Sequence, residues 1–242
     1  MDAGSVAVNL HGSGPASHRV LQGLAPPRLL AYACPEAGHS DGPRWRADEH
    51  EVDRWIRLSQ WAGGDATVDD LRLPPPGQRS DHVVVHPGAA SGSRRWPADR
   101  WAEVAASLAA AGRRVVVTGT AGEAGLCAQV AAENPAVQDL CGRVDLAELG
   151  RLVGTAALVL SGDTGVSHVA TAFATPSVTL FGPVSPALWG PRVDPHLHRA
   201  LWHGAPDELR PGDPHGIRLD ERLAAIGVEE VLAAAAAGAP AS

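Results

Sequence analysis

The chain has 242 residues, of which 45% are hydrophobic and 19% charged, and its formal net charge is -7 at pH 7. No Lys/Arg cluster is longer than two residues, which argues against a nucleic-acid partner, and no apolar run approaches the roughly 20 residues that a membrane span requires. The first residues lack the basic and apolar regions of a secretory signal, so we expect a cytoplasmic protein whose partner is a small molecule.

The first part of the chain has short strand and helix patterns. Residues 5–10 and 28–33 predict strands, whereas residues 17–24 and 47–63 predict helices. Three consecutive prolines and a glycine within residues 70–81 indicate a linker. A fragment of about 70 residues with one or two strands cannot bury both faces of a sheet, so we expect an incomplete domain.

From residue 82 onward, short β-branched runs alternate with Ala-rich helical stretches. This alternation predicts an α/β fold with a doubly wound parallel sheet and helices on its faces. Pro97 suits a first helical position and Gly112 suits the end of that helix. The predicted strands cover residues 82–86, 114–118, 158–161 and 177–182, and the predicted helices cover residues 97–112, 121–133, 145–156 and 166–174.

The triplet Asp163-Thr164-Gly165 follows a predicted strand and has two unrelated interpretations. In an aspartic protease, the carboxylate of such a triplet shares a proton with a second one. That fold is all-β, however, and the residues after Gly165 have helical character, which disfavours the protease. The triplet instead predicts a turn into a helix whose N-terminus attracts phosphate. A plainer explanation stays open, namely that Asp163 or Thr164 only caps the helix.

A second loop, residues 86–101, also joins a strand to a helix. It carries the hydroxyl of Ser91 and the guanidinium groups of Arg94 and Arg95, which can bind phosphate oxygens in a bidentate manner. The alternative is a solvated turn whose arginines pair with nearby carboxylates. Both loops are expected at one edge of a parallel sheet, where ligands bind in open α/β folds, and this favours a phosphate site. Glu123, after a third strand, is a candidate acceptor for ribose or sugar hydroxyls.

The cysteines and the other potential metal ligands argue against a metal. Cys34, Cys127 and Cys141 are odd in number, widely spaced and outside any C-x-x-C arrangement, so we expect free thiols rather than a disulfide framework or a zinc site. Asp163 and His168 are five residues apart and lack an obvious third ligand. The sequence therefore predicts neither a metal nor a cofactor.

Six motifs of the second half occur in a specific order: HPGA (86–89), RRWPADRWAEVA (94–105), VVVTGTAGE (115–123), DLCGRVDLAELGRLV (139–153), SGDTGVSHVA (161–170) and TLFGPVSPALWGP (179–191). Together they resemble glycosyltransferase family 9, the ADP-heptose:lipopolysaccharide heptosyltransferases, and residues 5 to about 220 fit. The resemblance implies a GT-B architecture of two Rossmann-like domains. It also implies an enzyme that transfers a heptose or related sugar from an ADP donor to an acceptor hydroxyl, with inversion at the anomeric carbon.

The same resemblance implies three parts of the chain. They are a partial N-terminal acceptor-side domain over residues 1–75, a C-terminal nucleotide-sugar-binding domain over residues 76–232, and an Ala-rich tail over residues 233–242. The family's N-terminal domain begins with a strand and a glycine-rich turn that carries an aspartate proposed as general base. We find no such segment here, so we expect the chain to start partway through that domain. The catalytic base is left unassigned.

The resemblance also implies roles for residues that bind the nucleotide. Ser91 and Arg94 would meet the donor phosphates, although many relatives have lysine at the position of Arg94. Glu123 would contact the ribose and Val144 would pack near the adenine. Trp189, in the last motif, is expected to pack rather than to contact the ligand.

A further set of roles concerns the diphosphate and the sugar. Thr164, Gly165 and Val166 would cradle the pyrophosphate, and Asp163 would meet sugar hydroxyls. His168 would lie beside them on the first helical turn, although a histidine there is more commonly a core or capping residue when considered alone.

Three functions stay open at this point. The first is the glycosyltransferase, and the second is a nucleotide-sugar-binding protein without transferase activity because the base-bearing segment is absent. The third is an epimerase or hydrolase of a nucleotide sugar. The expected partners are an ADP-sugar donor and a glycan, lipid-linked or small-molecule acceptor, with no nucleic acid and at most peripheral contact with a membrane.

Overall fold

The computed structural model describes residues 5–132 and 134–238. The chain divides into two compact units, Met1–Asp70 and Leu71–Ser242. The division falls at the start of the Pro-rich segment, a few residues before the domain boundary expected after residue 75. We call the two parts unit 1 and unit 2.

Unit 1 is a small α/β unit with a short parallel sheet. Its described elements are β1 (Val6–Val8), α1 (Ala16–Gln22), β2 (Arg28–Leu30) and α2 (Glu51–Trp61). The two strands pair in parallel, with Ala7 opposite Leu29. Val6 and Val8 remain about half exposed, at 49% each, because two strands do not bury both faces of a sheet.

A buried arginine of α2 contacts the segment that precedes this helix in unit 1. Arg54 of α2 is 1% exposed, and its guanidinium pairs with the carboxylate of Glu51 and donates to the carbonyls of Arg46 and Glu49, at 2.7 Å each. It also lies 3.8 Å from the centroid of the Trp45 ring. A charge removed from water requires such partners. These contacts hold α2 against the segment that precedes it.

Unit 2 contains a six-stranded, fully parallel sheet in the order β5-β4-β3-β6-β7-β8. This is the strand order of a Rossmann-type sheet, with β3 as the first strand of the series. The strands are β3 (Val83–His86), β4 (Val115–Val117), β5 (Val137–Asp139), β6 (Leu158–Gly162), β7 (Ser177–Leu180) and β8 (His198–Leu201). The described helices are α3 (Ala98–Ala110), α4 (Ala124–Ala131), α5 (Leu146–Thr155), α6 (Gly165–Ala172), α7 (Pro186–Trp189), α8 (Glu221–Ala225) and α9 (Val228–Gly238).

Helices cover both faces of this sheet. Val83 and Val85 of β3 belong to a core cluster that includes Trp101 of α3. Val84, between them, belongs to a second cluster that includes Val166 of α6. Because successive side chains of a strand point to opposite faces, a strand buried on both faces becomes a continuous apolar run. This explains why the central strands were predictable from the sequence.

The C-terminal helix extends further than expected. The sequence suggested an Ala-rich tail over residues 233–242, but α9 continues to Gly238, and Val231 and Ala235 are buried in the first core cluster. Residues 239–242 lie outside the described residues. Neither this Ala-rich helix nor any other described helix is long and apolar enough to cross a membrane.

A buried histidine on the edge strand β8 makes the stability of the fold depend on pH. Nδ1 of His198 lies 2.8 Å from Oγ of Ser177, and its Nε2 has no partner among the described residues. Burial lowers the pKa of His198 to about 4, with Asp194 raising it and His196 lowering it. The unfolded value is about 6.5. Between these two values the unfolded state binds more protons, so stability is lost as the pH falls.

We therefore expect the free energy of unfolding to fall by about 2 kcal/mol from pH 7 to pH 5 on account of His198. Urea unfolding at the two pH values measures it. His198→Asn keeps a hydrogen-bonding group toward Ser177 but removes the titrating imidazole. The loss of unfolding free energy between pH 7 and pH 5 should therefore be about 2 kcal/mol smaller in this variant than in the parent. His215→Asn, at an exposed histidine, is the matched control. An equal loss in the parent and in His198→Asn would assign the acid sensitivity to other groups.

Candidate functional site

The candidate site lies where the strand order of unit 2 reverses. β4 and β5 lie on one side of β3, and β6, β7 and β8 lie on the other. The loops that leave the carboxyl ends of β3 and β6 therefore diverge and form a crevice, which is where open α/β sheets bind ligands. A cavity of about 520 Å³ occupies this place, and residues of the loops after β3, β4 and β6 line it.

The N-terminus of α6 forms one wall of the cavity. Thr164 is extended, with φ -144° and ψ 172°, and its buried Oγ1 has no partner among the described residues. Gly165 faces open space, since a Cβ built there would have no atom within 4 Å. Val166 is buried in the second core cluster, so its side chain packs against the core. The first-turn N–H groups and the helix dipole are what this wall offers to an anion.

Arg94 forms the opposite wall and lies beside Asp163. It ends a 3-10 turn over Gly92–Arg94, and its Nη1 donates to the carbonyl of Asp163 at 3.3 Å and lies 3.9 Å from Oδ2. Its Nε is buried without a partner among the described residues. Burial raises the pKa of Asp163, whereas His168 and Arg94 lower it. Arg94 therefore favours the ionised carboxylate while keeping a donor available.

Glu123 lies at the β4 side of the cavity in a fixed orientation. Its Oε2 accepts from the N–H and the hydroxyl of Thr120, each at 2.8 Å. The carboxylate lies against Gly88, where an added Cβ would overlap Oε1. His86, at the end of β3, has Nδ1 3.0 Å from Oγ1 of Thr118, and burial lowers its pKa while Glu123 raises it. Gly88 thus allows the carboxylate to approach the floor of the cavity.

Five predicted site residues are not among those that line the cavity, namely Ser91, Val144, Asp163, Val166 and His168. The hydroxyl of Ser91 donates to the carbonyl of Pro214 at 2.5 Å. Val144 is half-buried in the bend before α5. His168 is exposed on α6 with its ring centroid 6.1 Å from that of Trp189; surrounding protein atoms lower its pKa, whereas Asp163 raises it. The roles of these five residues toward a ligand stay predictions, as do those of the other four.

Besides the predicted Arg94 and Glu123, the cavity contains Arg95, for which the sequence suggested phosphate binding, and residues for which the sequence suggested no role. His86 and Gly88 belong to the HPGA motif, whose resemblance to the family implied no role for either residue. Thr120 had no signal of its own, because its contribution depends on the contact with Glu123. Arg95 is exposed at the rim, and its Nε donates to the carbonyl of Ala89 at 2.8 Å.

The charges of the cavity suit a ligand with an anionic centre. Arg94, Arg95 and the N-terminus of α6 supply positive potential, and the carboxylate of Glu123 can accept hydrogen bonds from hydroxyl groups. The carboxylate of Asp163 lies beside Arg94 but does not line the cavity. The volume lies within the roughly 300–1,000 Å³ of small-molecule sites. A molecule with a phosphate group next to a part that carries hydroxyl groups fits this arrangement.

Comparison with known proteins identifies the family of the chain. The family model for glycosyltransferase family 9 (heptosyltransferase) matches residues 48–202. Over 165 residues the chain is 28% identical to lipopolysaccharide heptosyltransferase 3 of Escherichia coli (strain K12), covering 65% of this chain and 46% of that protein. Over 106 residues it is 37% identical to lipopolysaccharide heptosyltransferase 2 of Salmonella typhimurium, covering 41% of this chain and 30% of that protein. The chain thus spans less than half the length of these curated relatives.

Solved structures of similar fold include two heptosyltransferases from E. coli. ADP-heptose lps heptosyltransferase II superposes with a TM-score of 0.71 at 20% identity, covering 96% of this chain and 75% of that one. A heptosyltransferase solved with ADP superposes with a TM-score of 0.63 at 18% identity, covering 81% of this chain and 65% of that one. The α/β fold class expected from the sequence is confirmed by this similarity.

Proposed function

This chain belongs to glycosyltransferase family 9, the heptosyltransferase family, and from that premise we propose that it takes part in glycosyl transfer from an ADP-sugar. The sugar is a heptose or a close relative, and the acceptor is a hydroxyl group of a glycan. The anomeric carbon is inverted in the transfer. The site in unit 2 is the donor half of this activity.

One observation carries the proposal: the cavity at the strand reversal combines Arg94, the N-terminus of α6 and the carboxylate of Glu123, with the carboxylate of Asp163 beside Arg94. The diphosphate lies between Arg94 and the first turn of α6, which both favour negative charge. Glu123 accepts hydrogen bonds from the ribose and Asp163 from the sugar. The partnerless donors on each wall, Nε of Arg94 and the hydroxyl of Thr164, then gain partners that the protein alone does not supply.

In the proposed transfer reaction, negative charge develops on the diphosphate of the donor, and the residues around it act on that charge. The acceptor oxygen forms a bond to the anomeric carbon as the carbon–oxygen bond to the diphosphate breaks, and the hydroxyl proton passes to a base that is not assigned here. The departing ADP carries the bonding electrons as added negative charge. Arg94 and the α6 dipole are fixed before the reaction, so they stabilise that charge without reorganising. Because a guanidinium and helix dipoles suffice for this role, the proposal includes no divalent metal at the donor site.

The first experiment is calorimetric titration of the purified chain with ADP, UDP, GDP and ADP-heptose. We expect ADP to bind at least about tenfold more tightly than UDP or GDP, a difference of about 1.4 kcal/mol. ADP-heptose should bind more tightly than ADP, because Asp163 gains the sugar hydroxyls. Equal affinities for the three nucleotides in a folded sample would exclude an adenine-specific donor site.

A second experiment tests the transfer itself. The chain is incubated with ADP-heptose, with and without a glycan acceptor, and the products are separated by mass. Heptosylated acceptor together with free ADP supports the proposal. Free heptose, an epimerised donor, or bound but unreacted donor would instead indicate a hydrolase, an epimerase or a binding protein.

A further inference from the structure

The fold brings two cysteines together beneath the loop that carries Glu123. Cys127 of α4 is 0% exposed and Cys141, just after β5, is 8% exposed. Both sulfur atoms face Gly119: a Cβ built on that glycine would stand 2.8 Å from Sγ of Cys127 and 3.0 Å from Sγ of Cys141. A larger residue at Gly119 would fill the space between the two thiols. The spacing in the sequence gave no sign of this pair.

A carboxylate completes the cluster. The ligand atoms of Asp139, Cys127 and Cys141 all lie within 4.8 Å of one another, and in the part of the chain that the structure describes no other three His, Cys, Asp or Glu residues converge in this way. The N–H of Cys141 donates to Oδ1 of Asp139 at 2.8 Å, which fixes the orientation of the carboxylate. Zinc–sulfur bonds of about 2.3 Å in a tetrahedron place two sulfur atoms about 3.8 Å apart. The cluster is thus already close to the size that a zinc ion requires.

We propose that Cys127, Cys141 and Asp139 form a binding site for a thiophilic divalent cation of the zinc class. Two thiolates and one carboxylate are ligands that Zn²⁺ and Cd²⁺ accept and that Mg²⁺ and Ca²⁺ do not favour. When the cation binds, two S–H bonds break, two sulfur–metal bonds form, and two protons leave to the solvent. Asp139 is only half-buried, so water can reach the fourth position from its side.

The site would act on the loop above it. The thiol of Cys141 donates to the carbonyl of Thr120 at 3.0 Å, and the thiol of Cys127 lies 3.8 Å from the carbonyl of Thr118. The same Thr120 holds Glu123 through its N–H and its hydroxyl. Because both S–H donors are lost when the cation binds, the carbonyls of Thr118 and Thr120 lose these contacts, so binding changes the hydrogen bonding of the backbone on which this carboxylate stands.

The test is titration of the reduced, tag-free chain with Cd²⁺, monitored by the ultraviolet thiolate-to-metal absorption of the bound cation. Zn²⁺ is then added to compete with Cd²⁺ for the site. We expect one thiolate-bound Cd²⁺ per chain, displaced by Zn²⁺. Cys127→Ala and Cys141→Ala should each remove or strongly reduce the absorption. Cys34→Ala is the matched control, because Cys34 is also buried and also faces a carboxylate, Glu36, at 3.6 Å. That variant should keep the full absorption.

Two further measurements do not depend on the folding of the alanine variants. Asp139→Asn keeps both thiols and should weaken Cd²⁺ binding by at least about tenfold while keeping the absorption. X-ray absorption of the parent with one equivalent of Zn²⁺ should show two sulfur ligands. Zinc bound only through nitrogen and oxygen, no thiolate absorption in the folded parent, or full absorption in both Cys127→Ala and Cys141→Ala would each overturn the site.

Discussion

Arg94→Ala is expected to weaken the binding of ADP by about 10- to 100-fold, because a charge-assisted hydrogen bond to a phosphate contributes about 1.5–3 kcal/mol. The loss follows from the position of the side chain. Arg94 is held over the cavity by its bond to the carbonyl of Asp163, so its guanidinium is already oriented when the ligand arrives. Calorimetric titration with ADP measures the effect.

Two variants test whether that effect depends on position as well as charge. Arg95→Ala removes a neighbouring guanidinium that is exposed at the rim, and an exposed charge contributes only about 0–1 kcal/mol, so we expect a change of no more than about fivefold that disappears at high salt. Arg94→Lys keeps the charge but loses the planar fork, and should recover part of the affinity. Equal losses for Arg94→Ala and Arg95→Ala would mean that the site attracts phosphate through its overall charge.

The central part of the fold could be predicted from the sequence because it is apolar on both sides. The residues of β3, β4, β6 and β7 are buried almost without exception, which makes each strand a short apolar run between helical patterns. β5 and β8 were not predicted. They form the two edges of the sheet, and their sequences, VQD and HRAL, mix polar and apolar residues because one side of each strand has no neighbour.

The candidate site was predictable only where it depends on local sequence. Asp163, Thr164 and Gly165 follow a strand and open a helix, so the chain itself places them at the edge of the sheet. The bond from Ser91 to the carbonyl of Pro214 joins residues far apart in the chain, and no local pattern encodes it. The meeting of Cys127 and Cys141 is likewise a product of how α4 packs on β4 and β5.

Trp101→Ala is expected to lower the free energy of unfolding by about 3–5 kcal/mol, the usual result of removing a large buried aromatic side chain. Trp101 is fully buried, and its ring meets that of Trp96 edge-on, with centroids 4.9 Å apart at 80°. Trp96 in turn donates to the carbonyl of Ile226 at 3.1 Å. Urea unfolding followed by far-ultraviolet circular dichroism gives the difference. Trp61→Ala, at a half-exposed tryptophan of α2, is the control and should cost about 0.5 kcal/mol or less.

The same variant tests whether a loss of packing in the fold also changes the affinity of the site for ADP. The loop that carries Arg94 runs directly into α3, which Trp101 anchors to the sheet, but the tryptophan does not line the cavity. Under conditions in which Trp101→Ala is fully folded, we therefore expect its affinity for ADP to stay within about threefold of that of the parent, a change of less than 1 kcal/mol. A loss as large as that of Arg94→Ala would show that the packing of α3, and not the local turn at Gly92–Arg94, holds the guanidinium in place.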